Sequence, residues 1–386
     1  MPSERRIAFM PQTDTAFEIE PLLGKETVFV PRLSPPDKVV FDSLPQKDSS
    51  PTLHPDWAIF NTAFFENFRI SRAVHIPSLR KDVPDANVLV VARETEEGKF
   101  IRLPDLNLPI GVGEGEVFNW EDPRVWALNN QSGPRALLGL TAVRREQNKF
   151  VPHPALVEIA LVDEDLQVGT TTVFDERGKN TIPVGDELIY RPEVKSHSFH
   201  LLVKPTAERK LTLIKEIDFS NYSKIDWMSK KVGTVARPID IGDNLRLLPI
   251  HGVRSGMGID GEPKDDIYAL GFAIIDKDWN ILAVSAKPFW KRDEFLMNLP
   301  LGRGLNGEHK KEVVYLDDWV RKGETFEFPI TVGDRITVVD RKSLSQLLNQ
   351  KWVRFTGLVN ADGTSSYYRE FNLPAVRTEE LSSSAA

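Results

Sequence analysis

The sequence predicts an all-β protein, and within that class a five-bladed β-propeller. Helical periodicity is scarce, whereas short apolar or alternating runs bounded by Gly, Pro, Asp and Asn recur from about residue 57 to 340. A weak repeat accompanies them: a strand ends in Asp, an acidic or polar turn follows, and an apolar residue restarts the chain. It is seen in Val162-Asp163-Glu164-Asp165-Leu166, in Ile217-Asp218-Phe219 ahead of Ile225-Asp226-Trp227, and in Ile275-Asp276-Lys277-Asp278-Trp279. Its spacing of about 55 residues suits one four-stranded blade, and roughly five such units fill the chain. A pair of β-sandwiches is the competing architecture on pattern alone.

Taken in order, residues 1–55, with Pro31 to Pro36 and the polar run Gln46 to Ser50, read as an extended arm or added strands. Clear strands follow at Asn87 to Arg93, Arg135 to Val143, Leu156 to Asp163, Ser198 to Lys204, Leu245 to His251, Tyr268 to Asp276, Thr325 to Ile330 and Arg335 to Val339. Roughly twelve to twenty strands are expected in all. The one modest helix candidate is Ser343 to Trp352, and the Ser/Ala-rich, acidic end Thr378 to Ala386 has no reason to order. The expected division is an N-terminal arm (1–55), a catalytic propeller (56–342) and a C-terminal segment with a tail (343–386).

Composition narrows the function. With 386 residues and 41% hydrophobic content the chain can bury a large core. A net charge of −7 without a basic stripe argues against a nucleic-acid footprint and against anionic membranes as partners. The absence of cysteine removes disulfides, thiolate zinc sites and cysteine nucleophiles together. No apolar run approaches the ~20 residues of a membrane span, and Ile7 to Pro11 is too short for a signal-peptide core. The expectation is a cytoplasmic protein acting on a small neutral ligand, with the N-terminal arm a candidate packing element in a homo-oligomer. No metal is expected, because His251 has no second His at ligand spacing.

Chemistry is concentrated in Glu121-Asp122-Pro123-Arg124, between Trp120 and Val125-Trp126. Two carboxyls beside a rigid proline and a guanidinium can fix one Asp in a cleft and set it up as a general acid. Further motifs are Phe60-Asn61-Thr62-Ala63, Val91-Ala92-Arg93, Leu140-Thr141-Ala142, Arg191-Pro192-Glu193, Leu201-Leu202-Val203-Lys204-Pro205, Lys231-Val232-Gly233, Ile250-His251-Gly252-Val253 and Tyr268-Ala269-Leu270-Gly271-Phe272-Ala273.

In that order these motifs resemble glycoside hydrolase family 130, five-bladed propellers that act on β-mannosides, many of them phosphorylases. The resemblance spans residues 57 to 290. It implies Asp122 as the catalytic acid, passing its proton to the glycosidic oxygen through the 3-hydroxyl of the mannosyl unit, with inversion at the anomeric carbon. It implies substrate contacts from Asn61, Arg93, Glu121, Arg124, Glu193 and Tyr268. Inorganic phosphate as co-substrate needs cations and neutral donors, for which the candidates are Arg144, Lys195, Lys204 and His251; no other cofactor is implied.

Some departures weaken the phosphate site. Arg191-Pro192-Glu193-Val194 stands where phosphorolytic members carry Phe-Pro-Glu-Lys, which shifts the lysine to Lys195 and to the opposite face of a strand. Val203-Lys204-Pro205 replaces His-Arg-Pro, and beyond Pro288 the only stand-in for the closing pattern is Val313 to Asp318. Hydrolysis stays open, with Glu193, Asp265 or Asp266 as base. So do a non-catalytic propeller that binds a glycan or a protein and a five-bladed furanosidase with an Asp, Asp, Glu set.

Overall fold

β-Branched and aromatic runs with period-two burial dictate strands whose two faces must both be covered, and stacking sheets around an axis achieves this. The computed structural model describes residues 18–22, 25–29, 57–75, 87–95, 100–103, 105–110, 115–128, 134–147, 149–193, 199–257, 263–291, 313–332, 336–359 and 365–373. Its twenty-six strands fall into five antiparallel sheets. The count exceeds expectation because the fourth and fifth sheets use pieces of two to four residues, too short to carry an alternation pattern.

The first described elements are a hairpin, β1 (Glu18–Leu22) and β2 (Lys25–Phe29). Blade one is β3 (Trp57–Phe65), β4 (Phe68–His75), β5 (Asn87–Glu94) and β6 (Phe100–Leu103). Blade two is β7 (Val117–Leu128), β8 (Arg135–Glu146), β9 (Lys149–Val162) and β10 (Asp165–Val173). Blade three is β11 (Gly178–Val184), β12 (Glu187–Pro192), β13 (Phe199–Pro205) and β14 (Leu211–Asp218). Blade four holds β15 (Lys231–Thr234), β16 (Ile239–Gly242), β17 (Leu245–Met257), β18 (Pro263–Asp276), β19 (Ile281–Ser285) and β20 (Trp290–Lys291). Blade five holds β21 (Val314–Leu316), β22 (Val320–Lys322), β23 (Thr325–Val332) and β24 (Ile336–Ser343).

Each sheet packs on the next, and β23 and β24 pack back on β3, so the ring is closed. Both chain ends thicken the late blades. The β1–β2 hairpin extends blade five through β2, with Val28 opposite Val339. Helix α1 (Leu344–Leu348), capped by a Ser343/Gln346 capping box, leads into β25 (Lys351–Val359) and β26 (Ser365–Asn372), which extend blade four through Val284 opposite Val353. The helix is shorter than the candidate span, and the strands after it had no signal in the sequence. The tail Thr378 to Ala386 lies outside the described residues.

The apolar core sits between blades: Ile70, Val91, Leu138 and Leu140 join the first two, Leu202, Trp227 and Ile250 the third and fourth, and Phe272, Trp290, Phe328 and Trp352 the last two. Trp227 explains two glycines. A Cβ at Gly252 would lie 2.3 Å from the Trp227 ring and one at Gly271 2.7 Å from it, so both strands stay bare beneath the indole. Among the described residues no helix is long and apolar enough to cross a membrane.

Candidate active site

The first three inner strands carry the same irregularity. Asn61 in β3, Asp122 in β7 and Asn180 in β11 have left-handed backbone, with φ of 53°, 54° and 57°, and at each the strand slips register against its neighbour. Asn and Asp tolerate this conformation better than other side chains, and a bulge re-aims the residue away from the pleat. The Asn61 N–H donates to Thr331 Oγ1 at 3.0 Å and the Asn180 N–H to Thr141 Oγ1 at 3.3 Å, so a threonine of the preceding blade anchors the first and third of these bulges.

An acidic cluster grows from these bulges. Asn61 Nδ2 donates to Asp122 Oδ1 and to Asp317 Oδ1, both at 3.0 Å, joining blades one, two and five at one point. Arg124 spans the channel: Nε donates to the Val235 carbonyl at 2.6 Å, Nη1 to the Asp122 carbonyl at 2.6 Å and Nη2 to Asp317 Oδ1 at 3.2 Å. Arg72 of β4 holds Glu121 at 2.8 Å and stands 3.7 Å from Asp122. The Asp317 side chain is fully buried while that of Asp122 keeps 16% exposure, so Asp122 is the member with access to a ligand. Burial, with the Asp122 and Asp318 charges adding, pushes the Asp317 carboxyl up to about 8 against the pull of Arg124 and Asn61. Asp318, also raised by burial, pairs with Arg237 at 3.3 Å and accepts from the Phe64 N–H.

Facing this cluster, blades three and four supply cations and rings. Lys179 and Arg191 are cross-strand partners, and Lys231 follows on β15. Burial, then the charges of Arg191 and Lys179, lowers the Lys231 ammonium to about 7. Arg191 is lowered by burial while Tyr315, Asp122 and Tyr268 pull the other way, which places this guanidinium in the field of the acid. His251 is buried against Tyr268 and Tyr315, with ring centroids 6.0 and 5.8 Å away, and neither ring nitrogen has a partner among the described residues. Burial, Lys231 and Arg191 keep it neutral, well below the usual histidine range. Gly233 makes room for it, since a Cβ there would sit 2.4 Å from His251 Cε1. His200 Nε2 accepts from the Thr234 N–H at 3.2 Å, which leaves the proton of its neutral ring on Nδ1.

No protein-family model matches the chain, and no curated protein does. Solved structures do. β-1,2-Mannobiose phosphorylase from Listeria innocua superposes with a TM-score of 0.50 at 15% identity, over 76% of this chain and 93% of that one. A glycosyl hydrolase from Bacteroides ovatus gives 0.52 at 14% identity, over 74% and 84%. A protein reported with the glycoside hydrolase family 130 enzymes that target β-1,2-mannosidic linkages in Candida mannan gives 0.50 at 12% identity, over 81% and 97%. The chain has the family 130 propeller fold. The sandwich alternative is thereby excluded.

On this propeller the predicted site residues separate into two groups. Asn61, Asp122, Glu121 and Arg124 meet in one hydrogen-bonded cluster, and His251 and Tyr268 lie together on the opposite blades. The others sit elsewhere. Arg93, next to the last residue of β5, pairs with the exposed Glu164 at 2.6 Å. Arg144 stands 4.0 Å from Asp175. The Lys204 ammonium lies on Asp186 at 2.6 Å on the surface, and Glu193 is exposed. Lys195 lies outside the described residues. Asp317, Arg72, Lys179, Tyr315 and Lys231 were not among the candidates. Lys231 and Asp317 lie in segments singled out by motif, but nothing local distinguishes a channel-facing lysine from a surface one.

Proposed function

We propose that this protein is an inverting enzyme that cleaves β-mannosides by phosphorolysis. Asp122 protonates the leaving oxygen, through the 3-hydroxyl of the mannosyl unit. Phosphate bound by Lys179, Arg191 and Lys231, with His251, Tyr268 and Tyr315 as neutral neighbours, attacks the anomeric carbon from the opposite face. The C1–O bond breaks with its electron pair going to the aglycone oxygen, a new C1–O–P bond forms, and the configuration inverts. The carrying observation is the Arg191 guanidinium, which shares one buried field with Asp122 and with the half-neutralised Lys231. Three part-buried cations on adjoining strands, Lys179 opposite Arg191 and Lys231 on β15, favour an anion between them. The mannoside assignment rests on the motif series and on what the structural neighbours act on.

Hydrolysis is the second reading, and it needs a base for water. Of the candidates, Asp266 is held by Lys230 at 2.6 Å and Glu193 is exposed, while the Asp265 side chain lies outside the described residues. Incubation of α-mannose 1-phosphate with acceptor sugars is expected to release phosphate, and mannobioses are expected to turn over only when phosphate is supplied. Equal turnover without phosphate would overturn phosphorolysis. No turnover of any mannoside would favour a non-catalytic propeller.

A further inference from the structure

Residues 174–177 connect blade two to blade three, and each of them has a partner, three of the four in the β8–β9 hairpin of blade two. The Phe174 N–H donates to the Pro154 carbonyl at 3.0 Å, and the Phe174 carbonyl accepts from Nδ1 of the buried His153 at 3.1 Å. A carbonyl only accepts, so Nδ1 carries the hydrogen. The other ring nitrogen closes on Glu146 Oε1 at 2.8 Å, and Glu146 Oε2 accepts from Arg177 Nη2 at 2.7 Å. Arg144 stands 4.0 Å from Asp175, while Glu176 Oε1 accepts from the Leu211 N–H at 3.0 Å. Burial opposes ionisation of Glu146, but its contacts with Arg177 and His153 outweigh that and lower the carboxyl, so it meets Arg177 as a carboxylate.

This connector delivers Gly178 and Lys179 to the channel. The register of β11 on β12 slips between Lys179 and Ile182, so the pairs Lys179–Arg191 and Gly178–Pro192 are cut off from the main ladder. Pro192 has no N–H to give to that end, and the next N–H, of Glu193, donates to the Arg177 carbonyl at 3.1 Å. The place of Lys179 therefore depends on the connector. The same hairpin also holds the strand of the acid: β8 pairs with β7, Thr141 lies opposite Glu121, and Thr141 Oγ1 anchors Asn180. We propose that Glu146 and His153, behind the channel-lining strand of blade two, are positioning residues that fix Lys179 and its partner Arg191 relative to Asp122 by tying the 174–177 connector to the β8–β9 hairpin. Both act through Lys179, and the proposal rests on the proposed function only in reading Lys179 as a phosphate ligand.

Lys231 reports the position of Lys179 without any ligand. Its ammonium is brought to about 7 by burial, then by the charges of Arg191 and Lys179, so retreat of Lys179 raises it. In protein labelled with 13C-lysine, the NMR titration of Lys231 should move up by about half a unit or more in Glu146→Ala. Loss of the Glu146 charge by itself acts the other way, which separates displacement from direct electrostatics. His153→Asn keeps a donor for the Phe174 carbonyl but does not reach Glu146, and should give a smaller shift in the same direction. In kinetics, Glu146→Ala should raise KM for phosphate about three- to tenfold, with KM for the mannoside unchanged. An unmoved Lys231 in both variants overturns the proposal whether or not the protein cleaves mannosides. An equal rise in both KM values, the mark of a merely structural role, overturns it too. A moved Lys231 with unchanged phosphate affinity would confirm the positioning and instead remove Lys179 from the phosphate site. Should Glu146→Ala fail to fold, the His153→Asn titration decides.

Discussion

Asn61 and Asp122 both have left-handed backbone at bulges of adjacent inner strands, and one 3.0 Å hydrogen bond joins their side chains. Two strained residues are thus aimed at each other across a blade boundary, the arrangement expected where strain serves positioning. Asn61→Ala should cost about 1–2 kcal/mol, from the lost bonds and the unfavourable φ. It should also lower kcat roughly 10- to 100-fold as Asp122 loses its orientation. Urea unfolding beside steady-state kinetics checks both.

Asp122→Asn should reduce turnover by about 10²–10⁴-fold, the usual contribution of a general acid, while leaving the melting temperature within a few degrees of wild type. Loss of activity with intact circular dichroism and intact mannose binding is the expected result. An active Asp122→Asn protein would remove it from the mechanism.

Phosphate binding should depend on pH through Lys231. Its folded value of about 7 lies below the ordinary 10.5, so above neutrality the free protein has shed this proton. A bound anion draws the proton back. Binding measured calorimetrically at pH 8 in buffers of different ionisation enthalpy should therefore take up protons, and affinity should fall as pH rises through 7. Lys231→Met should raise KM for phosphate about tenfold or more and abolish the uptake.

Asp317 makes a separate prediction about stability. Its carboxyl is raised from 3.8 to about 8, so between these values the folded protein holds a proton that the unfolded chain has released. The group's contribution therefore weakens as pH rises across this window, by up to roughly 1.4 kcal/mol per unit. Lys231 opposes this above pH 7, because there the unfolded chain binds the extra proton. Comparing Asp317→Asn with wild type isolates the first effect: the variant should gain relative stability from pH 5 to pH 8 in chemical denaturation.

Gly252→Ala should destabilise by about 1–3 kcal/mol or more. The added methyl would meet both the Trp227 ring and, at 2.6 Å, its backbone carbonyl, so rotation of the indole cannot relieve it. The companion Gly252→Ala/Trp227→Leu should recover part of the loss.

Much of this molecule was legible from local sequence. Strand alternation is imposed by the pleat, so Val88 to Ala92 and Ala136 to Val143 announced themselves as sheet. The acid motif was visible because Glu, Asp, Pro and Arg stand in one run. The glycine after His251 signalled close approach, although its neighbour proved to be Trp227 rather than a ligand. The short strands β20 to β22 and the C-terminal β25 and β26 could not be read, since pairing with partners in their own sheets, not their own pattern, makes them strands.

The sequence by itself determined an all-β chain, its blade-sized period and the presence of Asp122 beside Arg124, because these follow from backbone geometry and adjacency. Only the tertiary structure decided which charges share a channel. Arg93 and Lys204 look functional in the chain yet spend their charges on Glu164 and Asp186, whereas Asp317, remote in sequence, meets Asn61 and Arg124. Ring closure brings the fifth blade onto the first, and burial there raises the proton affinity of a carboxyl that in an open chain would be ordinary.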